Sequence, residues 1–105
     1  MDLKILTERI EAVSQSYTDK FDIKRDSDWF VFKLQEELGE LTQSYLMLSQ
    51  RARKKGKSTD LITKEFQDEI ADVFGHILLL ANHYNIDIEK AVNDKWLKWE
   101  DSKRG

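Results

Sequence analysis

Apolar residues recur at spacings of three and four along three long segments, and no proline interrupts any of them. That period belongs to a helix with one buried stripe. Leu3, Leu6, Ile10, Val13 and Tyr17 predict a first helix from about Asp2 to Tyr17, with Asp2 as its N-cap. The polar stretch 18–28 loses the pattern and reads as a connecting loop, with Phe21 and Ile23 as anchors. Phe30, Leu34, Leu38, Leu41, Tyr45 and Leu48 predict a second helix that opens after Asp26 or Ser27 and reaches about Ala52. Ile62, Phe66, Ile70, Val73, Phe74, Ile77, Ala81 and Tyr84 predict a third, from about Asp60 to Tyr84. Asn85 is a natural stop, and Asp87 can cap a fourth helix over Ile88 to about Asp101, packed through Ile88, Ala91, Val92, Trp96 and Trp99.

With only four glycines in 105 residues, the chain lacks the turn punctuation of a β-sandwich or barrel. The expectation is one all-α domain over residues 1–105, a four-helix bundle-like fold. The third helix also carries Leu78, Leu79 and Leu80 around its circumference, so it is apolar on most sides. Such a helix needs cover on most sides. Three or four short helices cannot supply it, so the bundle is expected to be completed by a homodimer or homotetramer.

Several classes fall away. There is no cysteine, hence no disulfide framework and no thiolate metal site. The net charge of -3 argues against nucleic acid as a partner. The longest unbroken apolar run, Ile77 to Ala81, is too short to cross a membrane, and the N-terminus shows no signal-peptide pattern. A cytoplasmic protein is the expectation.

The chemistry gathers in Glu36-Glu37-Leu38-Gly39-Glu40-Leu41 and again at Glu69 and Asp72. Residues three apart on a helix project from one side. Taking roughly 100° per residue, Glu37 lies about 60° and Glu40 about 120° from the centre of the apolar stripe, on one flank, while Glu36 lies nearly opposite. Glu65, Glu69, Asp72, His76 and His83 likewise share a flank of the third helix. With 20 acidic residues, chance alone yields on the order of four such pairs, so one pair means little. Two pairs that both border apolar stripes mean more, because charges beside a core are costly unless compensated. Facing one another, Glu37, Glu40, Glu69 and Asp72 would hold a divalent cation. All-carboxylate donors suit Mg²⁺, with Mn²⁺ as a substitute. A di-iron bundle would need Glu-x-x-His motifs, which are lacking here.

Gly39 and Gly75 lie inside helices away from the acidic flank, where close helix approach, such as a subunit contact, is the expected reason. Five of the eight residues from Arg51 to Ser58 are basic. They form a solvated linker or, alternatively, a loop that draws in a polyphosphate.

Together, Glu36-Glu37-x-x-Glu40 and Glu69-x-x-Asp72, in the contexts Leu34 to Leu41 and Asp68 to Val73, resemble the signature of the MazG-like nucleoside triphosphate pyrophosphohydrolases. This all-α superfamily includes dimeric dUTPases and phosphoribosyl-ATP pyrophosphohydrolases. The resemblance covers the second to fourth helices. It implies a MazG fold and Mg²⁺-dependent hydrolysis of a nucleoside triphosphate between the α- and β-phosphates, giving the monophosphate and pyrophosphate. By position, Glu37, Glu40, Glu69 and Asp72 would be the metal ligands, and Glu40 would take the proton of the attacking water. Glu36 matches the first glutamate of the motif. Lys95 stands where members carry a basic residue for phosphates, with Arg104 a weaker counterpart. Trp29 stands where some members stack the base, although ordinary core packing is the simpler explanation of a tryptophan there. His76 shares the carboxylate flank, where it meets ribose or base or is a structural histidine. The rival reading is a non-catalytic helical interaction module that merely keeps acidic faces.

Overall fold

The computed structural model describes residues 1–100. All regular structure in them is helical: α1 (Leu3–Lys20), α2 (Ser27–Leu48), α3 (Thr59–His83), α4 (Ile88–Lys95) and a closing 3₁₀ turn at Leu97–Trp99. Each α-helix opens on a side chain that accepts from a first-turn backbone N–H. The caps are Asp2 for Ile5, Asp26 for Trp29, Ser58 for Leu61 and Asp87 for Lys90. The first three close alike. Asp22, Gln50 and Asn85 take positive φ just past the helix, and the next backbone N–H reaches back to Thr18, Leu46 and Ala81.

This closure corrects two expected boundaries. The second helix stops at Leu48 rather than Ala52, because Gln50 turns left-handed and Arg51 and Ala52 both donate to the Leu46 carbonyl. The first helix runs past Tyr17 to Lys20, because Thr18 is fully buried with its hydroxyl shared between the Ser14 and Gln15 carbonyls. The fourth helix is shorter than expected, ending at Lys95; Asp101, Lys103 and Arg104 lie outside the described residues.

α2 and α3 form the central pair. Tyr45 meets Phe66 towards one end, and Trp29 and Phe30 meet His76 and His83 towards the other, so the two helices are antiparallel. The core, Phe30, Ile62, Leu78, Leu79 and Ala81, sits largely along this seam. α1 leans on α3 rather than on α2. Arg25 fastens the α1–α2 connection. Its guanidinium donates to Glu11 at 2.6 Å, to Ser14 and to Gln15, and lies 5.3 Å from the Phe30 ring centre.

Half of the expected apolar stripes are uncovered. Leu38, Tyr45, Ile70, Phe74 and Ile77 are exposed, because none of the described residues lies over the second face of the α2–α3 pair, and Val13 and Tyr17 of α1 are exposed along the open cavity. α4 packs on none of the other helices to any extent, and residues 89–100 are all exposed, Trp96 and Trp99 included. The radius of gyration is 16.9 Å, against roughly 13 Å for a compact chain of this length. A Cβ added at Gly39 or Gly75 would meet nothing within 4 Å, so close approach inside the chain does not explain either glycine. Gly39→Ala is therefore expected to raise the urea midpoint, by about 0.5–1 kcal/mol of stability. A lower midpoint would place Gly39 at a contact between copies of the chain.

Candidate metal and ligand site

The antiparallel seam brings the two acidic segments together. One carboxylate oxygen each from Glu37, Glu69 and Asp72 lies within 4.8 Å of the others, and the same holds for Glu36, Glu37 and Glu40. Glu37 belongs to both groups and is their hub. It is only 8% exposed, whereas Glu36, Glu40 and Asp72 are exposed and Glu69 is intermediate. Glu36 reaches this cluster from the solvent side and accepts from Lys33 at 3.0 Å.

The cluster is electrostatically strained without a cation. Like charges at this separation repel by roughly 3 kcal/mol per pair at an effective dielectric constant near 20. Protonation relieves part of this. Burial pushes the Glu37 carboxyl up to about 7, with the charge of Glu40, a side-chain hydrogen bond with it, and then Asp72 and Glu69 adding to the rise. Glu69 is raised in the same direction, first by burial and then by Glu40 and Asp72. Oε2 of Glu37 and Oε2 of Glu69 are buried with no hydrogen-bond donor among the described residues. Two orphaned, buried carboxylate oxygens facing further carboxylates are what a hard divalent cation would satisfy. The donor set therefore fits Mg²⁺ or Mn²⁺.

Beside the cluster, α1 stands off α2 and leaves a cavity of about 710 Å³. That volume is in the range of small-molecule sites. Trp29, Lys33 and Glu37, four residues apart on α2, line one wall. Asp72, Gly75 and His76 of α3 form the floor. Arg9, Ser14 and Tyr17 of α1 form the other wall. The His76 ring lies 6.2 Å from that of Trp29, and its Nε2 is 3.9 Å from Glu37 Oε1. Burial, with help from Lys33, pushes the His76 pKa down, so the imidazole is neutral at pH 7 and this contact is not an ion pair. Its Nδ1 is buried without a partner among the described residues.

Of the residues singled out in the sequence, the cavity thus gathers Trp29, Glu37, Asp72 and His76, with Glu69, Glu40 and Glu36 adjoining through Glu37. Trp29 faces the cavity in one inward row with Lys33 and Glu37. Lys95 is not brought in. It ends α4, which swings clear of the other helices, and it is fully on the surface. His83 also leaves the acidic flank; it stacks on Phe30 and pairs with Ser27 at 3.0 Å. The basic linker lines no part of the cavity. Arg9, Lys33 and Tyr17 were missed. For Lys33 a signal existed, since it falls midway in the row from Trp29 to Glu37; for Arg9 and Tyr17 the first helix gave none beyond its apolar stripe.

Comparisons with protein-family models, with curated proteins and with solved structures find no match. Among the described residues, no helix is long and apolar enough to cross a membrane.

Proposed function

We propose that this chain is a Mg²⁺-dependent nucleotide pyrophosphohydrolase of the MazG-like all-α superfamily, cleaving a nucleoside triphosphate between its α- and β-phosphates. The observation that carries the reading is the convergence of Glu37, Glu69 and Asp72, with orphaned oxygens on Glu37 and Glu69, beside a cavity that Trp29, Arg9 and Lys33 help to line. Glu37, Glu40, Glu69 and Asp72 would hold the metal, which supplies neutralisation of phosphate charge and acidification of a water. Glu40 is the more exposed of the first acidic pair, and its carboxylate would take the proton of the attacking water. Trp29 offers a face for a base, and the neutral His76 lines the same cavity, where it would meet base or ribose. The uncovered apolar faces and the expanded radius support completion of the bundle by a second copy or by a tetramer.

The test is a panel of nucleoside triphosphates with Mg²⁺, read as pyrophosphate against orthophosphate. Pyrophosphate with a nucleoside monophosphate is the expected product pair. Orthophosphate release rejects α–β cleavage. No turnover on any member leaves the interaction-module reading, which the exposed α4 with Trp96 and Trp99 favours.

A further inference from the structure

We propose that Arg9, on the one helix outside the family resemblance, anchors the phosphate chain of the ligand; the assignment rests on the nucleotide reading of the same cavity. The electrostatics demand such a group. Five acidic residues, Glu36, Glu37, Glu40, Glu69 and Asp72, gather at this site. A polyphosphate adds further negative charge, more than one or two divalent ions remove. Cations on the facing wall are needed to keep the phosphate chain there. Lys33 is one, but its ammonium is held by Glu36.

Arg9 is the other, and it makes no ion pair among the described residues. Its guanidinium has only the Met1 sulfur, at 3.9 Å from Nη1. A fork of five donors on a cavity wall, with no carboxylate partner, matches phosphate oxygens in geometry as well as charge. Arg9 shares the cavity with Glu37 and Asp72, the carboxylates that would bring metal-bound phosphates there.

The experiment measures binding of inorganic tripolyphosphate in the presence of Mg²⁺ by titration calorimetry, for the wild type, Arg9→Gln, Arg9→Lys and Arg53→Gln. Loss of a charged hydrogen-bond donor to phosphate is expected to weaken binding roughly tenfold or more in Arg9→Gln. Arg9→Lys restores part of the affinity, and Arg53→Gln, in the solvated linker, changes nothing. Quenching of tryptophan fluorescence by a phosphate-free nucleoside stays the same in all four, and circular dichroism confirms equal helicity. Wild-type affinity in Arg9→Gln, or an equal loss in Arg53→Gln, overturns the assignment. If the wild type turns over no nucleotide yet Arg9→Gln still loses tripolyphosphate, the anchor stands and the enzymatic reading falls. If the wild type binds no tripolyphosphate with Mg²⁺, both fall.

Discussion

Glu37→Gln is expected to abolish turnover while making the metal-free protein more stable. The two effects have one cause. Glu37 is the residue common to both carboxylate groups, so its charge is felt by every other member. On the proposed function, removing it would deprive the metal of its central buried ligand, and a loss of at least about 10²–10³-fold in kcat is the size expected for one preorganised electrostatic group. The same change deletes the repulsions from Glu40, Asp72 and Glu69 and the cost of burying a charge whose Oε2 has no donor. In EDTA, a gain of roughly 1–3 kcal/mol follows, visible as a higher thermal midpoint. An ordinary structural glutamate would behave in the opposite way, since losing a satisfied carboxylate destabilises. A variant that is both active and less stable would remove Glu37 from the site. Asp72→Asn provides the parallel case: it is exposed, so its loss of turnover should come with a smaller stability gain.

The gathering of the carboxylates was legible because helical spacing alone puts Glu37 and Glu40, and Glu69 and Asp72, beside apolar stripes. It takes only an antiparallel pair to bring them together. Helix starts were legible for the same local reason, as Asp2, Asp26 and Asp87 cap where expected. Helix ends were less so. Gln50 and Asp22 adopt the left-handed conformation without being glycine, and only the backbone bonds they permit reveal it. What lay beyond the sequence was the partner of each stripe. Leu38 and Tyr45 share a stripe with Phe30, yet Phe30 is buried and they are not, because α1 and α4 leave that face of α2–α3 open. Arg9 was invisible for a related reason. A lone arginine on an amphipathic helix is ordinary until the tilt of α1 toward α3 opens a cavity against it.

Metal-free protein is expected to lose stability as pH rises, and Mg²⁺ to reverse that slope. The Glu37 carboxyl titrates at about 7 in the fold against 4.5 in the unfolded chain. Between these values the folded state binds more protons, so stability falls with rising pH. The contribution is fully present below 4.5 and lost as pH climbs through 7. It is worth on the order of 3 kcal/mol. His76 acts oppositely: its depressed pKa gives stability above its ordinary 6.5 that is lost as pH falls below it. The two overlap, so the Glu37 contribution is read as the difference between wild type and Glu37→Gln in EDTA, which should widen from near zero below pH 4.5 to its full size above 7. Mg²⁺ binds ionised carboxylates, so it stabilises most where the metal-free protein is weakest, by about 2.7 kcal/mol at a hundredfold excess over its Kd. Thermal midpoints across this range, with EDTA and with Mg²⁺, decide the matter. Curves that run parallel in the two buffers would mean that the carboxylates gather for some purpose other than a cation.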